Sequence, residues 1–150
     1  MAGIVVGVDG SEGSIHALEW AAAEARLRGT ALAVVSAWNT PAILYSGAGW
    51  GLGLESEVIN GLREIATDNL DRICDEHAAV LEGLDAERTV VEGTAAEVLL
   101  ERAKTADLLV VGSRGHGGFA GLLLGSVSQQ CAHHSPCPIV IVPPKAGDDR

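Results

Sequence analysis

Four residues in the second half of the chain have the types and spacing of an anion cradle. They are Gly112, then Gly115 after two residues, then Gly125 and Ser126 after nine more. Glycine permits positive φ and close approach of a ligand to the backbone. The first unbonded amides of a helix, with the positive end of its dipole, attract a negative group. Together they can hold phosphates. The Ser126 hydroxyl adds a donor, and Arg114 or His116 adds positive charge nearby. Gly125 is preceded by Leu124 and followed directly by Ser126, so the lysine of a P-loop is missing. Asp9 and His116 are the only nearby candidates for a general base, and the pattern therefore reads as a binding site with no committed catalytic residue and at most slow hydrolysis.

A second grouping, Cys131, His133, His134 and Cys137, sets four metal-ligating side chains within seven residues. Its pairs lack the separated spacing of a structural zinc site, and Pro136 and Pro138 force an extended exit from the preceding helix. Surface histidines and core thiols account for it, so no metal site is expected. The three cysteines, Cys74, Cys131 and Cys137, are odd in number and awkwardly spaced, which fits free thiols in a reducing compartment.

The elements that must position these residues alternate between short β-branched runs and longer helical periods, the signature of a βαβ chain. Strands are expected at Ile4 to Val8, Ala31 to Trp38, Glu87 to Glu92, Leu108 to Val111 and Ile139 to Val142. A first helix follows the Asp9-Gly10-Ser11 turn, with Ile15, Leu18, Ala22 and Ala25 on one face and Gly29 as its stop. A long second helix runs from about Glu55 to Glu82, with Val58, Leu62, Ile65, Leu70 and Ile73 on its apolar face. Thr94 and Glu97 form a capping box for a third helix towards Ala103, and a fourth spans Ser126 to about His133. The segment from Asn39 to Leu54, with Gly47, Gly49, Gly51 and Gly53, is a loop, either a lid over the ligand or an insert without a role.

Uniformly apolar strands are buried on both faces, which gives an α/β class: a doubly wound parallel sheet, with ligands bound beyond the carboxyl ends of the strands where the winding reverses. The 150 residues, 47% hydrophobic and 20% charged, suit one domain with an aliphatic core. A formal net charge of −10 disfavours nucleic acid and anionic membrane surfaces as partners. The chain has neither an 18-residue apolar run nor a basic, cleavable start, so a cytoplasmic location is expected.

The whole chain resembles the universal stress protein family, in its ATP-binding subgroup. Gly112, Gly115, Gly125 and Ser126 match that family's nucleotide motif at every position, and Ile4 to Ser11, Val91 to Gly93 and Ser135 to Val142 resemble it as well. The resemblance implies a Rossmann-like sheet of order 3-2-1-4-5 and bound ATP, with any Mg²⁺ carried by the phosphates. Asp9, approached through Gly7 and Val8, would face the adenine and ribose, and Ala37 would line the adenine pocket. Val111 and Gly112 would pass beneath the ribose and phosphates, with Ser113, Gly115, Gly125, Ser126 and Val127 around the phosphate chain. It also implies a homodimer through the last strand, and Ile139, Val140, Ile141 and Val142 have the composition of an edge that needs covering. The function expected is a nucleotide-dependent regulatory module of the stress response. Two other readings remain at this stage: a nucleotide-free interaction protein of the same fold, and an adenylating enzyme. The intact motif argues against the first. The second would need a Ser-Gly-Gly-x-Asp-Ser loop where this chain has Asp9-Gly10-Ser11-Glu12-Gly13-Ser14.

Overall fold

The computed structural model describes residues 3–40, 54–114 and 124–144. Five strands, β1 (Ile4–Gly7), β2 (Leu32–Trp38), β3 (Ala86–Glu92), β4 (Leu108–Gly112) and β5 (Ile139–Val142), form one sheet. Every pairing is parallel and the order is β3-β2-β1-β4-β5. Ile4 stands opposite both Leu32 and Leu108, which centres the sheet on β1. The helices are α1 (Glu12–Arg28), α2 (Leu54–Glu76), α3 (Ala78–Leu81), α4 (Ala95–Ala103) and α5 (Ser126–His134).

Local chemistry sets most of these boundaries. Ser11 caps α1 by accepting the Ser14 N–H at 3.2 Å, and Gly29 ends it in the left-handed region at φ 65°. Thr94 caps α4 by accepting the Glu97 N–H at 3.3 Å, and its hydroxyl donates to the Glu97 carboxylate at 2.7 Å. This is the expected pairing of Thr94 with Glu97, although the carboxylate returns to the hydroxyl rather than to the backbone.

Each face of the sheet carries its own core. One holds Val6, Leu32, Val34 and Val110 under α1 and the latter part of α2. The other holds Val5, Val35, Leu109 and Val111 under α4 and α5. Ala17, Ala21, Ala22 and Ala25 are all at 0% exposure, as is Leu18, so α1 lies close on the strands through a contact layer made mostly of methyl groups. Cys74 belongs to the first core and Cys131 to the second, with the sheet between them. Burial pushes the Cys131 thiol up to about 11 and raises that of Cys74 as well, which leaves both protonated and inert at neutral pH.

The long helix departs from expectation in two ways. It breaks at His77 (φ −116°, ψ 30°), and α3 resumes after it. The turn brings Val80, Leu81 and Leu84 back against the α1 core, while Arg26 of α1 donates to the carbonyls of Val80 at 3.1 Å and Glu82 at 2.8 Å. Val58 and Ile65, expected on the buried face, are 42% and 59% exposed. The cause is length: 23 residues of helix rise about 35 Å, whereas the seven residues of β2 span about 23 Å, so α2 overshoots the sheet. Only from Leu70 onward does it reach the core.

Because Ala21 is fully buried in this close contact, Ala21→Leu is expected to lower stability by about 1–3 kcal/mol, read as a lower urea midpoint with an unchanged slope.

Candidate functional site

At the carboxyl edge of the sheet, β1 and β4 lie side by side and the chain leaves them for opposite faces, to α1 from β1 and towards α5 from β4. A cleft of about 210 Å³ opens there. Its floor is the strand ends, with Gly7 closing β1 and Val8 just after it, Val35 and Ala37 on β2, and Val111 and Gly112 on β4. Its rim is the first turns of three helices: Ser11 and Ser14 at α1, Ala95 with Val98 and Leu99 at α4, and Gly125, Ser126, Val127 and Ser128 at α5. Asp9 and Arg114 complete the lining.

The three helix starts differ in how their free amides are used. α1 has the Ser11 cap and Glu12 in its first turn, and α4 has the Thr94 cap and Glu97. α5 begins at Gly125, in extended conformation, with no described side chain capping it and no acidic residue in its first turn. Its positive end is thus left for a group that enters from outside. Ser126 is the first helical residue, and Gly125 occupies the capping position.

Asp9 sits at the mouth, exposed. Its Oδ1 accepts the Ser11 N–H at 2.9 Å, and its own N–H donates to Ser14 Oγ at 3.2 Å. This small turn aims the α1 start at the cleft. Beside the polar groups, Val35 and Ala37 of β2 with Val98 and Leu99 of α4 make an apolar wall. A slot lined by apolar side chains together with helix-start amides and a carboxylate accepts a flat ring joined to an anion.

Gly112 has a further duty. A Cβ built on it would lie 2.7 Å from the Gly13 carbonyl oxygen, and one built on Gly13 would strike the Arg114 carbonyl. The first turn of α1 and the end of β4 therefore interlock backbone to backbone, so Gly112 is needed for packing as well as for ligand approach.

Over residues 2–143 the chain matches the Universal stress protein family. It belongs to that family. Among its relatives, Universal stress protein Rv1996 of Mycobacterium tuberculosis is 33% identical over 153 residues, covering 94% of this chain and 48% of that one. A universal stress protein of Mycolicibacterium smegmatis is 34% identical over 152 residues, covering 95% and 46%. The chain spans about half the length of the curated relatives it matches. Of solved structures, the hypothetical protein MJ0577, studied for structure-based assignment of its biochemical function, superposes with a TM-score of 0.77 at 25% identity, covering 96% of both chains. A universal stress protein in complex with cAMP superposes with a TM-score of 0.63 at 30% identity, covering 94% of this chain and 95% of the other.

Of the residues expected at the site, Gly7, Val8, Asp9, Ala37, Val111, Gly112, Gly125, Ser126 and Val127 all line this one cleft. Ser113 does not; it is buried, its N–H donates to the Val142 carbonyl at 2.9 Å, and its carbonyl faces α5. Gly115, His116 and the glycines from Gly47 to Gly53 lie outside the described residues. Sequence reasoning passed over Ser11, Ser14, Val35, Ala95, Val98, Leu99 and Ser128. The serines were legible as helix-start residues beside the motif, but the α4 wall comes from a helix whose sequence reads only as amphipathic. In the cysteine and histidine run, Cys131 turns inward while His133 and His134 are exposed, and no group of three metal-ligating side chains occurs among the described residues.

Gly112→Ala is expected to cost about 1–3 kcal/mol in denaturant unfolding, because a backbone carbonyl must give way. Gly7→Ala should cost less, since the atom its Cβ meets, at 2.6 Å, is the rotatable Leu99 Cδ1.

Proposed function

We propose that this chain binds ATP in the β1–β4 cleft and acts as a nucleotide-dependent regulatory module of the stress response. The observation that carries the reading is the α5 start: an anion pole without a described side-chain cap, in a cleft that also carries an apolar wall. In this reading adenine lies against Val35 and Ala37, and Asp9 accepts from the ribose. The phosphates run over Gly112, Gly115 and Gly125 to the amides of Ser126 and Val127, with Arg114 beside them. Mg²⁺ arriving with ATP is held through the phosphates. The complex of a 30%-identical family member with cAMP supports an adenine nucleotide as the ligand class.

The overall charge of −10 does not oppose this. A helix dipole end at the cleft itself outweighs distant carboxylates screened over about 8 Å at physiological salt. Hydrolysis is at most slow in this reading, because no described lysine lines the cleft and the Asp9 carboxylate is shared between the Ser11 N–H and the ribose. No helix among the described residues is long and apolar enough to cross a membrane.

Pairing of two copies through β5 belongs to the same proposal. The strand closes one edge of the sheet, and Ile139, Val140, Ile141 and Val142 are all half-buried, apolar and paired on one side only.

Denaturing freshly purified protein and separating the released small molecules should yield ATP or ADP. Calorimetric titration of emptied protein should show ATP bound more tightly than cAMP. Asp9→Ala should weaken ATP about tenfold, the value of one hydrogen bond to a charged group, while Asp9→Asn keeps the acceptor for the Ser11 N–H and hence the fold. Unaltered affinity in both variants would refute the proposed ribose contact, and no binding at all would leave the nucleotide-free interaction protein as the better reading. For the assembly, light scattering should give about twice the 15.4 kDa chain mass. The Pro138 and Val142 carbonyls face β4, so parallel alternation turns the Ile141 N–H to the open edge, and Ile141→Pro should yield folded monomer.

A further inference from the structure

We propose that Ser128, two residues beyond the glycine motif, is a positioning residue that clasps the α5 start to the end of β4 and so aims the anion pole at the phosphates; this rests on the nucleotide reading of the cleft.

The motif specifies two pieces that come from different elements: Gly112 ends β4, and Gly125 with Ser126 opens α5. Nothing in the spacing of glycines says what holds them together. In the structure the link runs through the Ser113 carbonyl, which accepts the Gly125 N–H at 2.6 Å and the Ser128 hydroxyl at 2.7 Å. Ser113 is itself anchored, since its N–H donates to Val142 at the end of β5. Ser128 Oγ also lies 3.1 Å from the Gly125 carbonyl, three residues back on its own helix. One side chain therefore touches both residues that bracket the segment 114–124.

Burial makes the clasp consequential. Ser128 is 2% exposed, the least exposed of the buried polar residues among those described. A hydroxyl in that position needs a protein partner, and the partner available across space is Ser113 O. The first-turn amides that would meet an anion lie on Ser126 and Val127, directly before this anchor. A helix end aims its amides along its axis, so a small rotation of α5 about its far end displaces all of them together. Losing the hydroxyl leaves the Gly125 N–H to Ser113 bond and the helical Gln129 N–H to Gly125 bond in place. The domain should therefore fold while its anion pole loses its fixed direction. The apolar wall of Val35, Ala37 and Leu99, on β2 and α4, does not depend on the clasp.

This separation supplies the test. Ser128→Ala, Ser128→Cys and wild type are titrated calorimetrically with ATP and with adenosine, which shares the base and ribose but has no phosphate. Cysteine is close to serine in size but a weak donor, so it retains the packing and loses most of the hydrogen bond. The expected result is ATP weakened about tenfold in both variants, in line with one lost buried hydrogen bond, and adenosine affinity unchanged. Equal weakening for both ligands would show a merely structural role and overturn the proposal, as would ATP affinity equal to wild type. If only Ser128→Ala weakens ATP and Ser128→Cys restores it, packing is the cause and the clasp is refuted. Should Ser128→Ala fail to fold, Ser128→Cys carries the same comparison. Wild type that binds neither ligand overturns the nucleotide reading along with the clasp, whereas wild type that binds ATP beside indifferent variants overturns the clasp alone.

Discussion

The reversal of winding between β1 and β4 is the constraint on which the rest of the molecule depends. Right-handed crossovers carry the chain from β1 to β2 under α1 on one face, and from β3 to β4 under α4 on the other. At the seam between β1 and β4 the chain must leave in opposite directions, and no helix can cover the strand ends there. A crevice follows from topology alone. The character of its walls comes from which helix starts reach it, and α1, α4 and α5 all do.

Close packing at the seam is what makes the crevice a shaped cleft. α1 approaches the sheet through four fully buried alanines, and its first turn meets β4 through the interlocked Gly13 and Gly112. That contact fixes where the Ser11 and Ser14 rim lies relative to the β4 end, and the Ser113 node fixes where α5 begins. Fold stability and site geometry thus share atoms. A residue such as Gly112, which reads as a ligand-approach glycine, is equally a packing residue, and the two duties cannot be separated by substitution there.

The electrostatic design is local. α1 and α4 use their first-turn donors on Ser11 and Thr94 and place Glu12 and Glu97 beside their own dipoles. α5 has neither device among the described residues. An acidic protein can in this way present an anion-seeking point without a basic surface, because a dipole end acts within its first turn while net charge acts at distances where salt screens it. Charge on the far side of the sheet is spent on tying β3 to its neighbours, where Arg88 bridges Asp71 and Asp75 of α2 and Arg102 reaches Glu87. These are exposed pairs, more useful for blunting an edge strand than for stability.

What the amino-acid sequence determined by itself were features written within four or five residues of one another. Ser11, Gly29 and the Thr94–Glu97 pair mark helix ends because a side chain or a positive φ answers backbone groups in the same turn. The apolar strands announced a doubly buried parallel sheet, and the glycine motif, through its family resemblance, located nine of the residues that line the cleft. Tertiary structure alone decided matters that hang on neighbours far along the chain. The break at His77 serves contacts with Arg26, some 50 residues earlier. Val58 and Ile65 stay in water because α2 is longer than the sheet it crosses. Val98 and Leu99 become the apolar wall only when α4 is laid over β1 and β2, and Ser128 meets Ser113 only when α5 docks on β4. Periodicity and capping report which face of an element is apolar and where it stops; they carry no information about which atom will stand opposite, because that is set by packing between elements whose order in space is not their order in the chain.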